Sequence, residues 1–127
     1  PALAGRVAWR GGLADAELAV EMATAHLLVV PSSYEGFGIV YLEGMGFGLP
    51  AIATTAGAAA ELISDGVNGY LVPPGDAAAL AERIATLAVD REQLAQMSAA
   101  ARERFARHPT WEQSTASIRA FLLQLGR

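Results

Sequence analysis

Two carboxylates, Glu35 and Glu43, sit eight positions apart in Ser32-Ser33-Tyr34-Glu35-Gly36-Phe37-Gly38-Ile39-Val40-Tyr41-Leu42-Glu43, with a glycine-hinged turn between them. An apolar run, Leu27-Leu28-Val29-Val30-Pro31, precedes the turn, and the segment after it reads as a short helix. A strand that ends, a glycine-containing turn and a helix that begins make a natural anion site. The first N–H groups of a helix lack internal partners, and the helix dipole favours negative charge there. Gly36 to Val40 are therefore expected to present backbone N–H groups to a phosphate, with Glu35 and Glu43 gripping hydroxyl groups on either side. At ~1.5 Å rise per residue Glu43 lies about one turn into the helix, and its Cβ leans back toward the N-terminus.

The elements that must position this turn can be read in chain order. Val7-Ala8-Trp9 is a short strand candidate closed by Gly11-Gly12, and Asp15 opens an amphipathic helix with Leu18, Met22 and Ala25 on one face. Leu27 to Val30 has the continuous apolar character of a strand buried on both faces. A helix over Ile39–Phe47 is stopped by Gly48-Leu49-Pro50. Ala51–Thr54 is a second buried strand, Glu61-Leu62-Ile63 belongs to a short helix, and Asp65-Gly66-Val67-Asn68-Gly69 is a turn into a strand at Tyr70–Val72. Asp76 caps a helix carrying Leu80, Ile84 and Leu87. Asp90 with Gln93 starts another, with a buried stripe of Leu94, Met97, Ala101 and Phe105. His108-Pro109 breaks it, and a capping box of Thr110 and Gln113 opens a last helix lined by Trp111, Ile118, Leu122 and Leu125. Trp9 and Trp111 are expected in the core, and His26 and His108 in structural or surface roles. The alternation predicts an α/β fold: a Rossmann-like, three-layer parallel sheet of about four strands, ending in a helical segment.

Composition narrows the function classes. The 127 residues make one domain at most, 53% hydrophobic, with a net charge of −4. No basic surplus points to nucleic acid, and no apolar run approaches the ~20 residues of a membrane span. The start, Pro1 to Arg6, is too short and polar for a signal peptide. There is no cysteine, which removes disulfides and thiolate chemistry, and all 9 basic side chains are arginine. Schiff-base and phosphate-gripping lysines are thereby excluded within the chain. No side-chain cluster implies a metal ion.

The motif set Pro31-Ser32-Ser33-Tyr34-Glu35-Gly36-Phe37-Gly38, Glu43, Gly48-Leu49-Pro50 and Asp65 to Asp76 resembles the family 4 (group 1) retaining glycosyltransferases, built from two Rossmann-like domains in the GT-B arrangement. Val7 to Gly11 and Thr110-Trp111 extend the resemblance over nearly the whole chain. It implies that residues 1–127 are part of the domain that binds a nucleoside-diphosphate sugar, the donor substrate, with no cofactor and no metal. Glu35 would be the candidate catalytic residue, accepting hydrogen bonds from donor-sugar hydroxyls. Gly36, Phe37 and Gly38 would bring backbone against that sugar, Ile39 and Val40 would hold the diphosphate, and Glu43 would take the ribose hydroxyls. Leu13 falls where the family often places the base. Two departures stand out: glycine at positions 44 and 46, where the family more often has alanine, and Ala56 to Glu61 in place of the usual Gly-Gly-x-Pro-Glu. The glycines either permit close packing or fray the helix.

By the same resemblance, two strand–helix units bearing an Arg and a Lys, and an N-terminal acceptor domain, are missing. The chain is therefore expected to be an inactive fragment of a cytoplasmic enzyme, at most peripheral to the inner membrane. The other reading is a non-catalytic nucleotide-sugar binding module. Missing central strands would expose the Leu27–Val30 edge, an opening for the Val7 strand or for self-association.

Overall fold

The computed structural model describes residues 3–126; of the opening stretch, Pro1 and Ala2 lie outside it, as does Arg127. Six helices and three strands occur in the order α1 (Asp15–Thr24), β1 (Leu28–Val30), α2 (Ile39–Gly46), β2 (Ala51–Thr54), α3 (Ala59–Leu62), β3 (Gly69–Val72), α4 (Ala77–Val89), α5 (Arg91–Arg107) and α6 (Trp111–Leu125). The strands form one parallel sheet in the order β1-β2-β3, with Val29 opposite Ile52 and Ile52 opposite Tyr70.

β2 is buried along its whole length because it is the central strand and is covered on both faces. Its side chains alternate between two cores, as the period of a strand requires. Ala51 and Ala53 face Tyr41, Leu42 and Met45 of α2 and Leu62 of α3. Ile52 faces the other way, onto Tyr70, Leu87 of α4, and Leu94 and Met97 of α5. α5 reaches both cores, since its Ala101 packs with the first. The expected three layers are present.

The glycines of α2 serve packing. A Cβ on Gly44 would meet Leu28 of β1 at 2.9 Å, and one on Gly46 would meet the Phe105 ring of α5 at 3.3 Å. The helix ends in a Schellman motif: Gly48 takes φ 78°, and Leu49 N–H and Gly48 N–H donate to the carbonyls of Gly44 and Met45. The turn into β3 is held by buried Asn68. Its Oδ1 accepts from Ser64 N–H at 2.7 Å and its Nδ2 donates to the Leu62 carbonyl at 3.0 Å.

Several expectations fail, for one common reason. Val7-Ala8-Trp9 is not a strand, so the sheet has three strands rather than four, and Trp9 is 94% exposed. A three-residue apolar stretch becomes a strand only when a neighbour offers backbone groups, and no described residue pairs with it. β1 is half-buried on every residue rather than buried on both faces, and it pairs only with β2. Leu18 and Phe105 are exposed, as is Trp111. α6 contains no buried residue, so Ile118, Leu122 and Leu125 line a helix without a partner among the described residues. Glu61 and Leu62 lie in the short third helix as expected, and Ile63 is its C-cap residue.

Candidate functional site

The carboxyl ends of the three strands converge on Glu35 and its turn. Thr54, at the end of β2 and 2% exposed, donates from Oγ1 to the Ser32 carbonyl at 2.6 Å, tying the β1 exit to β2. Thr55 N–H donates to the Val72 carbonyl at 2.9 Å, tying β2 to the end of β3. Ala58 N–H donates to the Glu35 carbonyl at 2.9 Å, so the loop after β2 clamps the turn from the other side. Gly57 makes that clamp possible. At φ 74° it adopts a conformation that side chains rarely take, and any Cβ there would collide with the Glu35 backbone.

Gly38 is the N-cap of α2 and lies in the left-handed region, φ 84° and ψ 45°. It offers no capping side chain, and no acidic residue occupies the first turn of the helix. Tyr41 N–H donates back to the Gly38 carbonyl at 2.9 Å. Among the described residues, the N–H groups of Ile39 and Val40 have no acceptor. The other long helices differ. Asp76, Asp90 and Thr110 cap α4, α5 and α6 with side-chain oxygens, and Glu17 reaches back to Ala14 N–H at 3.0 Å at the start of α1. α2 instead begins at a glycine at the carboxyl edge of the sheet, so no cap side chain stands over its first N–H groups.

Around this opening, Glu35 is half-buried, Gly36 is exposed, and Gly38 is buried. Phe37 is half-exposed and tilts against His108, ring centroids 6.3 Å apart, so it forms a wall rather than core. Ile39 and Glu43 are exposed, Val40 half-buried. Leu13 lies half-buried in the coil ahead of α1. A recess of about 220 Å³ lies at the same strand ends, lined by Pro31, Thr54, Val72, Gly75 and Asp76 among others. Among the described residues no three His, Asp or Glu side chains gather in a way that would hold a metal ion.

Three residues of this site do not stand out in the sequence: Thr54, Gly57 and Tyr41. Gly57, a lone glycine in a run of alanines, carries the one available signal. Tyr41 is buried, and its ring edge fills the space where a Cβ on Gly38 would go, with Cε2 at 2.5 Å from that position. Burial, and secondarily the negative charge of Glu35, hold the Tyr41 phenol above its ordinary pKa of 10.0. Tyr41 is therefore a neutral hydroxyl at physiological pH.

An open parallel sheet flanked by helices, with a glycine-lined turn and a glycine-capped helix N-terminus at its carboxyl edge, is an α/β fold of the Rossmann-like class. The family model of the glycosyl transferases group 1 matches residues 2–104, and the chain belongs to that family. It is 38% identical over 119 residues to the sucrose synthase of Acidithiobacillus caldus, a match that covers 87% of this chain and 15% of the relative. Among solved structures, Anabaena HepE in complex with UDP-glucose superposes with a TM-score of 0.76 at 36% identity, covering 84% of this chain and 29% of that one. Sucrose-phosphate synthase from Thermosynechococcus elongatus superposes with a TM-score of 0.86 at 35% identity, over 98% of this chain and 31% of that one. The fold is thus the Rossmann-like, GT-B-type fold expected from the sequence. The chain spans less than a third of the length of each of these relatives.

Proposed function

We propose that this chain is the donor-binding portion of a retaining glycosyltransferase, which moves a sugar from a nucleoside-diphosphate sugar to an acceptor. The observation that carries the reading is the glycine-capped N-terminus of α2 at the carboxyl edge of the sheet: the N–H groups of Ile39 and Val40 have no acceptor among the described residues, which supports a diphosphate site there. Negative charge develops on the leaving diphosphate during transfer, and a positive helix end stabilises it with no reorganisation at that moment. Glu35 accepts hydrogen bonds from the sugar hydroxyls and serves as the catalytic residue, with the backbone of Gly36, Phe37 and Gly38 alongside it. Glu43 takes the ribose hydroxyls, and Leu13 lies against the base. No metal and no cofactor enter this reading. The location is cytoplasmic, where the parent polypeptide supplies the acceptor domain.

The chain has no lysine, which favours a second reading in which it binds a nucleotide sugar without chemistry of its own. Both readings make the isolated chain inactive, and turnover of a nucleotide sugar by it alone would overturn that point. Calorimetric titration with UDP and GDP tests the binding. Glu43→Ala should weaken the preferred nucleotide at least about tenfold, as expected for losing charge-assisted hydrogen bonds, and leave the melting temperature unchanged because Glu43 is exposed. Equal affinities for the two proteins would remove Glu43 from the site. The unpaired edge of β1 adds self-association through strand pairing; a monomeric mass by light scattering at high concentration would refute it.

A further inference from the structure

Tyr41 presents an unusual combination. The whole residue, hydroxyl included, is 1% exposed, and it belongs to the core shared by α2, β2 and α3. Yet its hydroxyl makes no hydrogen bond to any described residue. No fully buried side-chain N or O atom in the described chain lacks a hydrogen-bond partner, so the small exposure that Tyr41 keeps includes its phenol oxygen. Its neighbour there is Glu35. The ring edge of Tyr41 and the Cγ of Glu35 both crowd the point where Gly38 lacks a Cβ, Cε2 at 2.5 Å and Cγ at 3.4 Å. The phenol also feels the charge of Glu35.

The chemistry of the pair is complementary. An ionised carboxylate only accepts hydrogen bonds, whereas a neutral phenol donates. A sugar hydroxyl can do both at once, donating to the carboxylate while its oxygen accepts from the phenol. We infer that the Tyr41 hydroxyl is a second sugar-binding group, donating to the same hydroxyl of the donor sugar that Glu35 accepts from. The inference rests on the reading of Glu35 as the sugar-binding carboxylate. It also accounts for why a tyrosine, rather than a phenylalanine of nearly the same shape, fills the space over Gly38. The ring meets the packing requirement, and the hydroxyl, through its small opening, serves the ligand.

The test separates the two parts of the nucleotide sugar. Chemical-shift titrations of the ¹⁵N-labelled chain would compare UDP-glucose with UDP, and GDP-mannose with GDP, because they report weak binding. Tyr41→Phe keeps the ring, so its melting temperature should match the wild type. Affinity for the bound nucleotide sugar should fall about tenfold, the scale of one lost hydrogen bond, while affinity for the free nucleotide is unchanged. An unchanged nucleotide-sugar affinity overturns the inference. So does an equal loss for nucleotide and nucleotide sugar, which would mark a structural effect. Glu35→Ala distinguishes this failure from failure of the underlying reading. If Glu35→Ala weakens the nucleotide sugar selectively and Tyr41→Phe does not, only Tyr41 is misassigned. If neither variant does, or if the wild type binds neither sugar nucleotide, both assignments fall.

Discussion

Helices α5 and α6 carry the same local signals and meet opposite fates. Each opens with a side-chain cap: Asp90 Oδ1 accepts from Gln93 N–H at 2.9 Å, and Thr110 Oγ1 accepts from Gln113 N–H at 3.2 Å. Thr110 and Gln113 even complete the reciprocal box, with Thr110 N–H donating to the Gln113 side chain at 2.9 Å. Each has an apolar stripe at helical spacing. α5 buries Leu94, Met97 and Ala101 and ties itself to α2 by Ser98, whose Oγ donates to the Gly48 carbonyl at 2.7 Å. α6 buries nothing, and Trp111 remains 85% exposed. A cap and a stripe decide where a helix starts and which face is apolar. Whether that face is covered depends on what the rest of the fold brings to it.

The difference should show most strongly in the stripes themselves. Met97→Ala deletes a fully buried side chain between α5 and the sheet and should cost about 2–5 kcal/mol in urea unfolding. A loss below about 1 kcal/mol, far under that range, would mean that α5 is not integral to the core. The caps come next. Asp90→Ala should cost ~1 kcal/mol of global stability, because the Asp90 side chain caps the start of α5 through the Gln93 N–H. The smallest effect is expected for Leu122→Ala on α6, within ~0.5 kcal/mol of the wild type. A large loss there would show that α6 finds a partner surface in solution and would erase the contrast with α5.

A second contrast lies at the helix N-termini. α4, α5 and α6 each hold the N–H three residues past the cap with a side-chain oxygen, whereas α2 begins at Gly38, which has none to offer. Local sequence shows this plainly. Glycine at position 38 has no side chain to cap with, and glycine readily adopts the φ of 84° required there. The glycine-capped start of α2 is therefore legible in the residues from Glu35 to Glu43 alone. So are β2, the Schellman end at Gly48 and the caps Asp76, Asp90 and Thr110. Apart from β2, whose apolar run marks it, these are set by contacts within a few residues of one another.

Other features are not legible, and the failures are informative. Val7-Ala8-Trp9 has strand-like composition, but a strand exists only through a neighbour. Hydrophobicity places Trp9 and Trp111 in the core, yet it says only that a side chain favours burial, not that a surface is available to bury it. Gly44 and Gly46, costly in an isolated helix, are explained only by Leu28 and Phe105, which approach from β1 and α5.

The chemistry of the turn is written in its own residues: two carboxylates, a left-handed glycine and a helix start without a cap. These features depend on backbone conformation and on partners three or four residues apart. The long-range fold is what sets Gly57 against the Glu35 backbone and buries the Tyr41 ring in the core shared by α2, β2 and α3. It also selects which of two equally amphipathic helices enters the core. Those outcomes depend on segments distant along the chain meeting at the sheet edge, where close packing, not local preference, sets what fits.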